Sequence, residues 1–319
     1  MARMPRGIEL DKEGLYHLRA QIAGPKNFRP LQRQENAKQM LAIMEHFTGL
    51  YFCAVAGLEL LGSHYHLSCR FDAYRELDDQ QRRALAERFY DGPYRPYMAW
   101  KPTDWNRFNH RVFNVSELMR NIQQAFARWF NRRYKRRGPV WAGRFQSTQS
   151  DNLVETVYYI ELNAVRVHLV ARPEQWRYSS VWMRKHGQDA WLMPLVTLLE
   201  TDDPGRAEDR YWANLYWRGT LPSKKTDALI PVELAEQMQL QQIQRAVYLN
   251  RHEAFSRGHR IGSRERIAAR LEFCREQGIY RRRRHPIDIG VAGLYALRAP
   301  RKTADDRERP LPSDRRRVA

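Results

Sequence analysis

The stretch "YFCAVAGLELLGSHYHLSCRF", residues 51–71, constrains the fold more than any other part of the chain. Two apolar-rich runs flank Gly62 and Ser63, and turn chemistry between two strand patterns predicts a β-hairpin. Side chains alternate across a strand with period two. His64, His66, Ser68 and Arg70 therefore share one face, and Tyr65, Leu67, Cys69 and Phe71 the other. One face is apolar and packs; the other is polar and carries two imidazoles one residue apart.

Around this hairpin, "GLYHLRAQI" alternates over 15–22 and stops at Gly24-Pro25, which predicts a first strand. Met40, Ile43, Met44 and Phe47 stand at helical spacing before Gly49, so 36–50 reads as an amphipathic helix. Residues 72–115 show a helical pattern only in "DDQQRRALAERFY"; the Pro- and aromatic-rich remainder reads as loop. Ser116 is the expected N-cap of a long helix with Leu118, Ile122, Phe126, Trp129 and Phe130 on its buried side, ending before Gly138-Pro139. Asp151 is the expected N-cap of a further helix over "LVETVYYIELNAVRVHLV". Beyond "RPEQWRYSS", where Tyr178 reads as structural, Gln- and Arg-rich helical patterns return, and from Arg281 the chain is rich in Arg, Pro and Asp.

With 319 residues, 43% hydrophobic, the chain can bury one substantial core and a smaller one. The formal charge of +19 comes mostly from arginine, whose planar guanidinium suits phosphate contacts, so the expected partner is a polyanion. Three scattered cysteines, Cys53, Cys69 and Cys274, do not make a disulfide framework or a zinc site. No signal peptide and no apolar run of about 18 residues is evident, which argues against secretion or a membrane partner and for a cytoplasmic, nucleoid-associated protein.

The basic charge is concentrated. From Leu118 to Ser150 there is no Asp or Glu, while Arg120, Arg128, Arg132, Arg133, Lys135, Arg136, Arg137 and Arg144 alternate with Trp141 and Phe145. Cations to neutralise phosphates and aromatic faces on which bases stack, at about 1–3 kcal/mol per base, suit a single strand of nucleic acid. The plainer alternatives are a solvated helix face and, for Trp141, Arg144 and Phe145, packing of the loop onto the sheet.

On the helix after Asp151, Glu155, Tyr159 and Asn163 are spaced i, i+4, i+8, with Arg166 close by. Tyr158, about 100° round the helix, is expected to face the core. An H-x-H pair on a strand can hold a divalent metal through neutral imidazoles, or can be a structural pair; two ligands alone do not make a site.

In order and spacing, "SHYHL", the basic aromatic helix, "GPVWAGRFQS" and "YIELNAVRVHLV" resemble the single-tyrosine HUH transposases of bacterial insertion sequences, in particular the REP-associated tyrosine transposases. The resemblance covers about residues 1–185. Beyond it, the Gln- and Arg-rich helical patterns read as an accessory, mostly helical region over 186–280, and the Arg-, Pro- and Asp-rich composition as a basic, flexible tail over 281–319. The resemblance implies an α+β domain with a ferredoxin-like antiparallel sheet and packed helices. It further implies that His64 and His66 are metal ligands, Tyr159 the nucleophile, Asn163 a third ligand, and Mg²⁺ or Mn²⁺ the cofactor. Arg166 and Glu155 would support the tyrosine, the latter by relaying a proton. The chain departs from the family in having Gly62-Ser63 where Pro-Asn often precedes the first histidine, and Ala164 where Pro often follows the asparagine.

The implied substrate is single-stranded or hairpin DNA, cut and rejoined through a 5′-phosphotyrosine. Two other readings stay open: a replication initiator or relaxase using the same chemistry, and a non-catalytic single-stranded nucleic-acid-binding protein. Whether one chain or a homodimer forms the active site is also open.

Overall fold

The computed structural model describes residues 10–221, 227–237, 261–276, 285–291 and 294–297. The hairpin forms as its pattern requires: β2 (Cys53–Leu60) pairs antiparallel with β3 (His64–Phe71), and Leu61 N–H closes the turn on the His64 carbonyl at 2.8 Å. Gly62 leaves room in that turn for the Arg29 side chain, whose Cδ would lie 2.2 Å from a Cβ at this position. Strand β1 (Gly14–Gln21) lines the other edge of β3, from Gly14 opposite Phe71 to Gln21 opposite His64. A strand the sequence reading did not mark, β4 (Gln146–Gln149), pairs with β1, so the sheet runs β2-β3-β1-β4 with every neighbour antiparallel. Its sequence, "QSTQ", has no apolar alternation because β4 is a short polar edge strand.

One face of this sheet is the core. Leu18, Leu58 and Leu67 are fully buried there against Met40 and Met44 of α1 (Gln34–Thr48) and the Leu118, Ile122 and Phe126 side of a later helix. Each such burial is worth roughly 1.5–3 kcal/mol.

Between β3 and that helix, α2 (Asp79–Phe89) carries a reciprocal Asp78–Gln81 capping box. Contrary to the loop expected over 72–115, α3 (Pro102–Val112) follows. Its proline occupies the first turn, where a missing N–H costs nothing, and Lys101 N–H donates to Asp104 at 3.1 Å. Trp105 and Phe108 of α3 pack with Tyr90, Tyr97 and Trp100 in a satellite aromatic cluster.

The long helix α4 (Val115–Arg133) is capped by Asn114 rather than Ser116: the Asn114 side chain accepts from Ser116 N–H at 2.8 Å. Likewise Asn152, not Asp151, caps α5 (Leu153–Glu161), accepting from Glu155 N–H at 2.9 Å. Asp151 instead accepts from Ser263 N–H at 3.0 Å and pairs with Arg266 at 2.5 Å. The helix expected to continue through 170 breaks at Leu162 and resumes as one turn, α6 (Asn163–Arg166).

Helix α5 lies on the sheet face opposite α1 and α4, with Val157 against Gly57 of β2. Its outer side, through Tyr158, joins a second core containing Leu162, Val165, Val181 of α7 (Ser180–Lys185), Leu199 after α8 (Leu195–Leu198), Tyr211 and Leu215 of α9 (Pro204–Gly219), and Ala235 of α10 (Val232–Glu236). Packing therefore runs without interruption across residue 185.

Farther on, β5 (Ile261–Gly262), β6 (Ile287–Val291) and β7 (Leu294–Ala296) form a second sheet in the order β5-β7-β6, with α11 (Arg264–Glu276) beside it. β6 and β7 pair within the stretch expected to be a flexible tail from 281; the closing "DRRR" and most of the Gln-rich stretch after 237 lie outside the described residues. No helix among the described residues is long and apolar enough to cross a membrane.

Candidate active site

The polar face of the sheet follows from the same alternation that builds the core. Directly opposed residues in an antiparallel pair share a face. The register places Arg19 and Glu59 on either side of His66, Gln21 beside His64, His17 beside Ser68, and Gln146 beside Arg19. Imidazoles, a guanidinium and a carboxyl thus gather on the face under α5.

Burial decides their charge states. His64 is half-buried with its pKa lowered to about 3, first by desolvation and then by the nearby Arg19 and Arg29 cations. His66, 3% exposed, is held well below the ordinary imidazole range by desolvation and by His17, His64 and Arg19. Both rings are neutral at physiological pH, the form in which imidazole binds a metal. Glu59 is fully buried and its pKa is pushed well up by desolvation, so it keeps its proton. One of its oxygens accepts from Ala164 N–H at 3.3 Å, while Oε2 has no hydrogen-bond partner among the described residues.

Tyr159 is brought to this face by α5. Its ring meets the His17 ring edge-on at 5.8 Å and the His66 ring at 6.4 Å. The Arg166 guanidinium stands 5.6 Å from the Tyr159 ring centre and donates to the Tyr159 carbonyl at 3.1 Å. Arg19 donates to Gln146 at 3.1 Å and Gln21 at 3.3 Å; burial lowers its pKa, and a charge on Tyr159 pulls it the other way. Positive charge is thus set around the phenol. Asn163 sits one turn on, half-buried, with its Nδ2 buried and unpartnered among the described residues.

Whether this set suits a divalent cation can be judged from its donors. Among the described residues no three His, Cys, Asp or Glu side chains come together as a metal-holding group. The implied ligand set therefore depends on the Asn163 amide beside the two neutral imidazoles. An amide end left without a partner is what a ligating side chain leaves when its ion is absent, and a half-turn exchanges its nitrogen and oxygen. By donor type the set suits a divalent cation, and an imidazole-rich set would favour Mn²⁺ over Mg²⁺, which prefers oxygen ligands.

The remaining expected residues are placed differently. The Glu155 carboxylate pairs with Arg218 of α9, which also covers the Tyr158 ring at 4.3 Å. That ion pair, 63 residues apart in sequence, occupies the group expected to relay a proton. Tyr158 is 1% exposed and faces the second core, as its helical position predicts.

Helix α4 packs on the apolar face, so its exposed Arg128 and Arg132 lie across the sheet from the histidines. Arg120 pairs with Glu117 and Arg133 with Glu35, acids that lie outside the acid-free stretch. Lys135, Arg136, Arg137 and Arg144 are exposed on the connection to β4. Trp141 donates its indole N–H to the Gln123 carbonyl at 2.8 Å and packs on Tyr65, and Phe145, 7% exposed, belongs to the core, so its ring is not open for base stacking.

Sequence reasoning missed His17 and Arg19. Their signal was present in "YHLRAQ", where His, Arg and Gln alternate with buried Tyr16, Leu18 and Ala20. Only strand order shows that this polar side adjoins His66.

Neither a family model nor a curated protein matches the chain. Among solved structures, a REP-associated tyrosine transposase bound to a REP hairpin aligns with 59% of this chain and 87% of its own, at 14% identity and a TM-score of 0.40. At that level of likeness, the functional reading rests on the residues and their geometry.

Proposed function

We propose that the protein is a metal-dependent endonuclease and strand transferase acting on single-stranded or hairpin DNA, with Tyr159 as nucleophile. The observation that carries this reading is the setting of Tyr159: a phenol on the imidazole-bearing face of the sheet, against His17 and His66 and beside Arg166. The strand order, with α1 and α4 on one face, supports reading the first sheet as ferredoxin-like.

In the proposed step Tyr159 Oη forms a bond to the scissile phosphorus, the bond from phosphorus to the 3′ oxygen breaks, and the DNA 5′ end stays on the protein as a phosphotyrosine. The phenol loses its proton and the departing 3′ oxygen gains one. A free phenol has a pKa of about 10, so reaching phenolate at neutral pH costs about 4 kcal/mol. Arg19 and Arg166 lower that cost by placing positive charge beside the forming oxyanion. A divalent cation held by His64, His66 and Asn163 would supply neutralisation and orientation of the phosphate. One phosphodiester replaces another, so the step is reversible and needs no ATP.

The test is a denaturing gel with hairpin DNA labelled at either end, in Mn²⁺ or Mg²⁺. Label retained on the protein from the 3′-side fragment only, dependent on metal and absent in Tyr159→Phe and His64→Ala, supports the proposal. Tight binding without adduct, across several hairpins and both metals, replaces it with a non-catalytic binding module.

A further inference from the structure

His17 is 2% exposed, in the middle of β1, and its Nε2 lies 2.8 Å from Nδ1 of His66. The two rings are nearly parallel, 22° apart with centroids at 5.1 Å, and the His17 ring also meets the Tyr159 ring. Two imidazole nitrogens at that distance share one hydrogen, so one donates and the other accepts. If His66 Nδ1–H donates, its Nε2 keeps a free lone pair and can ligate or accept; if His17 donates, His66 Nε2 carries the hydrogen and can do neither. Ligating histidines commonly have their second nitrogen engaged in this way, and loss of that partner typically costs 10–100-fold in metal affinity.

We infer that His17 is a positioning residue: it accepts the Nδ1–H of His66, fixing the tautomer and ring orientation that leave His66 Nε2 open on the polar face. The inference deepens the proposed function and rests on it for the purpose of that open nitrogen, though not for the hydrogen bond itself. Strand pairing holds the donor and acceptor in register, with His17 opposite Ser68 and Arg19 opposite His66. A packing role for His17 would be met equally by an apolar side chain of similar size; a positioning role would not.

The test uses the full chain. Selective ¹⁵N-histidine labelling, with His66 assigned by comparison with His66→Asn, reads the tautomer of His66 without metal or DNA. Calorimetric titration with MnCl₂ reads the consequence in wild type, His17→Leu and His17→Gln, the last of which restores an acceptor. The expected result is an Nδ1–H tautomer of His66 in wild type, Mn²⁺ affinity reduced about 10–100-fold in His17→Leu, and partial recovery in His17→Gln. An Nε2–H tautomer in wild type overturns the inference, and needs no variant to fold. So does His17→Leu with unchanged His66 tautomer and Mn²⁺ affinity. An Nδ1–H tautomer in a protein that never forms a Tyr159 adduct upholds the His17 contact while removing the proposed function.

Discussion

On one face of the four-stranded sheet Leu18, Leu58 and Leu67 are fully buried; on the other Glu59, His66 and His17 are 0%, 3% and 2% exposed. The strands are the same and burial is nearly equal, but what burial does is opposite. Leucine gains from leaving water, whereas a buried polar group left unpaired costs about 1–3 kcal/mol. The polar face meets that cost through pairing, His17 with His66 and Glu59 with the Ala164 N–H, and through neutral charge states. It leaves Glu59 Oε2 and Asn163 Nδ2 without partners among the described residues. One face maintains the fold, and the other carries the groups on which the proposed chemistry rests.

The largest effect should follow Tyr159→Phe, which keeps the ring and removes the hydroxyl. Adduct formation should fall below detection on labelled hairpins, while unfolding free energy changes by less than about 1 kcal/mol in urea titration. The reverse pattern should follow Leu67→Ala on the apolar face. It should cost about 2–5 kcal/mol in the same titration. The fraction that remains folded should form adduct at the wild-type rate.

Burial on the α5 side should also appear as a pH dependence. Glu161 accepts from Ser180 at 2.7 Å and Tyr211 at 2.9 Å, and its pKa is raised to about 7, chiefly by desolvation. Between about pH 4.5 and 7 the folded form holds this proton and the unfolded chain releases it, so stability falls as pH rises through that window. The full effect is on the order of 3 kcal/mol. Denaturant titrations across the window should show the decline in wild type and lose it in Glu161→Gln.

A smaller effect should come from the basic surface beyond the apolar face. Arg132, Arg136 and Arg137 changed together to Ala should reduce the slope of log K against log[salt] on single strands by about 2, since each phosphate contact contributes about 0.7. Equilibrium binding at several salt concentrations checks this; an unchanged slope would show that these arginines do not touch the strand.

Much of this contrast was legible in the chain. Strand patterns and turn chemistry marked β1, β2 and β3, period-two alternation separated the two faces of β3, and helical spacing put Tyr158 inward and Tyr159 toward the polar side. Strand adjacency was not legible, because nothing local in "YHLRAQ" says that it pairs with "HYHLSC", and so His17 and Arg19 were missed. Glu155 was assigned from its i, i+4 spacing to Tyr159 within α5, but Arg218 arrives from α9 and pairs with it. Phe145 looked like a stacking platform because it stands among basic residues in a stretch without acids, whereas the ring itself turns into the core. Local pattern carries periodicity; long-range partners decide which patterned residues are free.

The most direct test of the central claim is to map the covalent adduct. After reaction with hairpin DNA and Mn²⁺, nuclease trimming and trypsin digestion, tandem mass spectrometry of the peptide spanning 145–166 distinguishes its two adjacent tyrosines. The account requires the nucleotide phosphate on Tyr159. A modification on the buried Tyr158, on any other residue, or on none while DNA is cut, would contradict it.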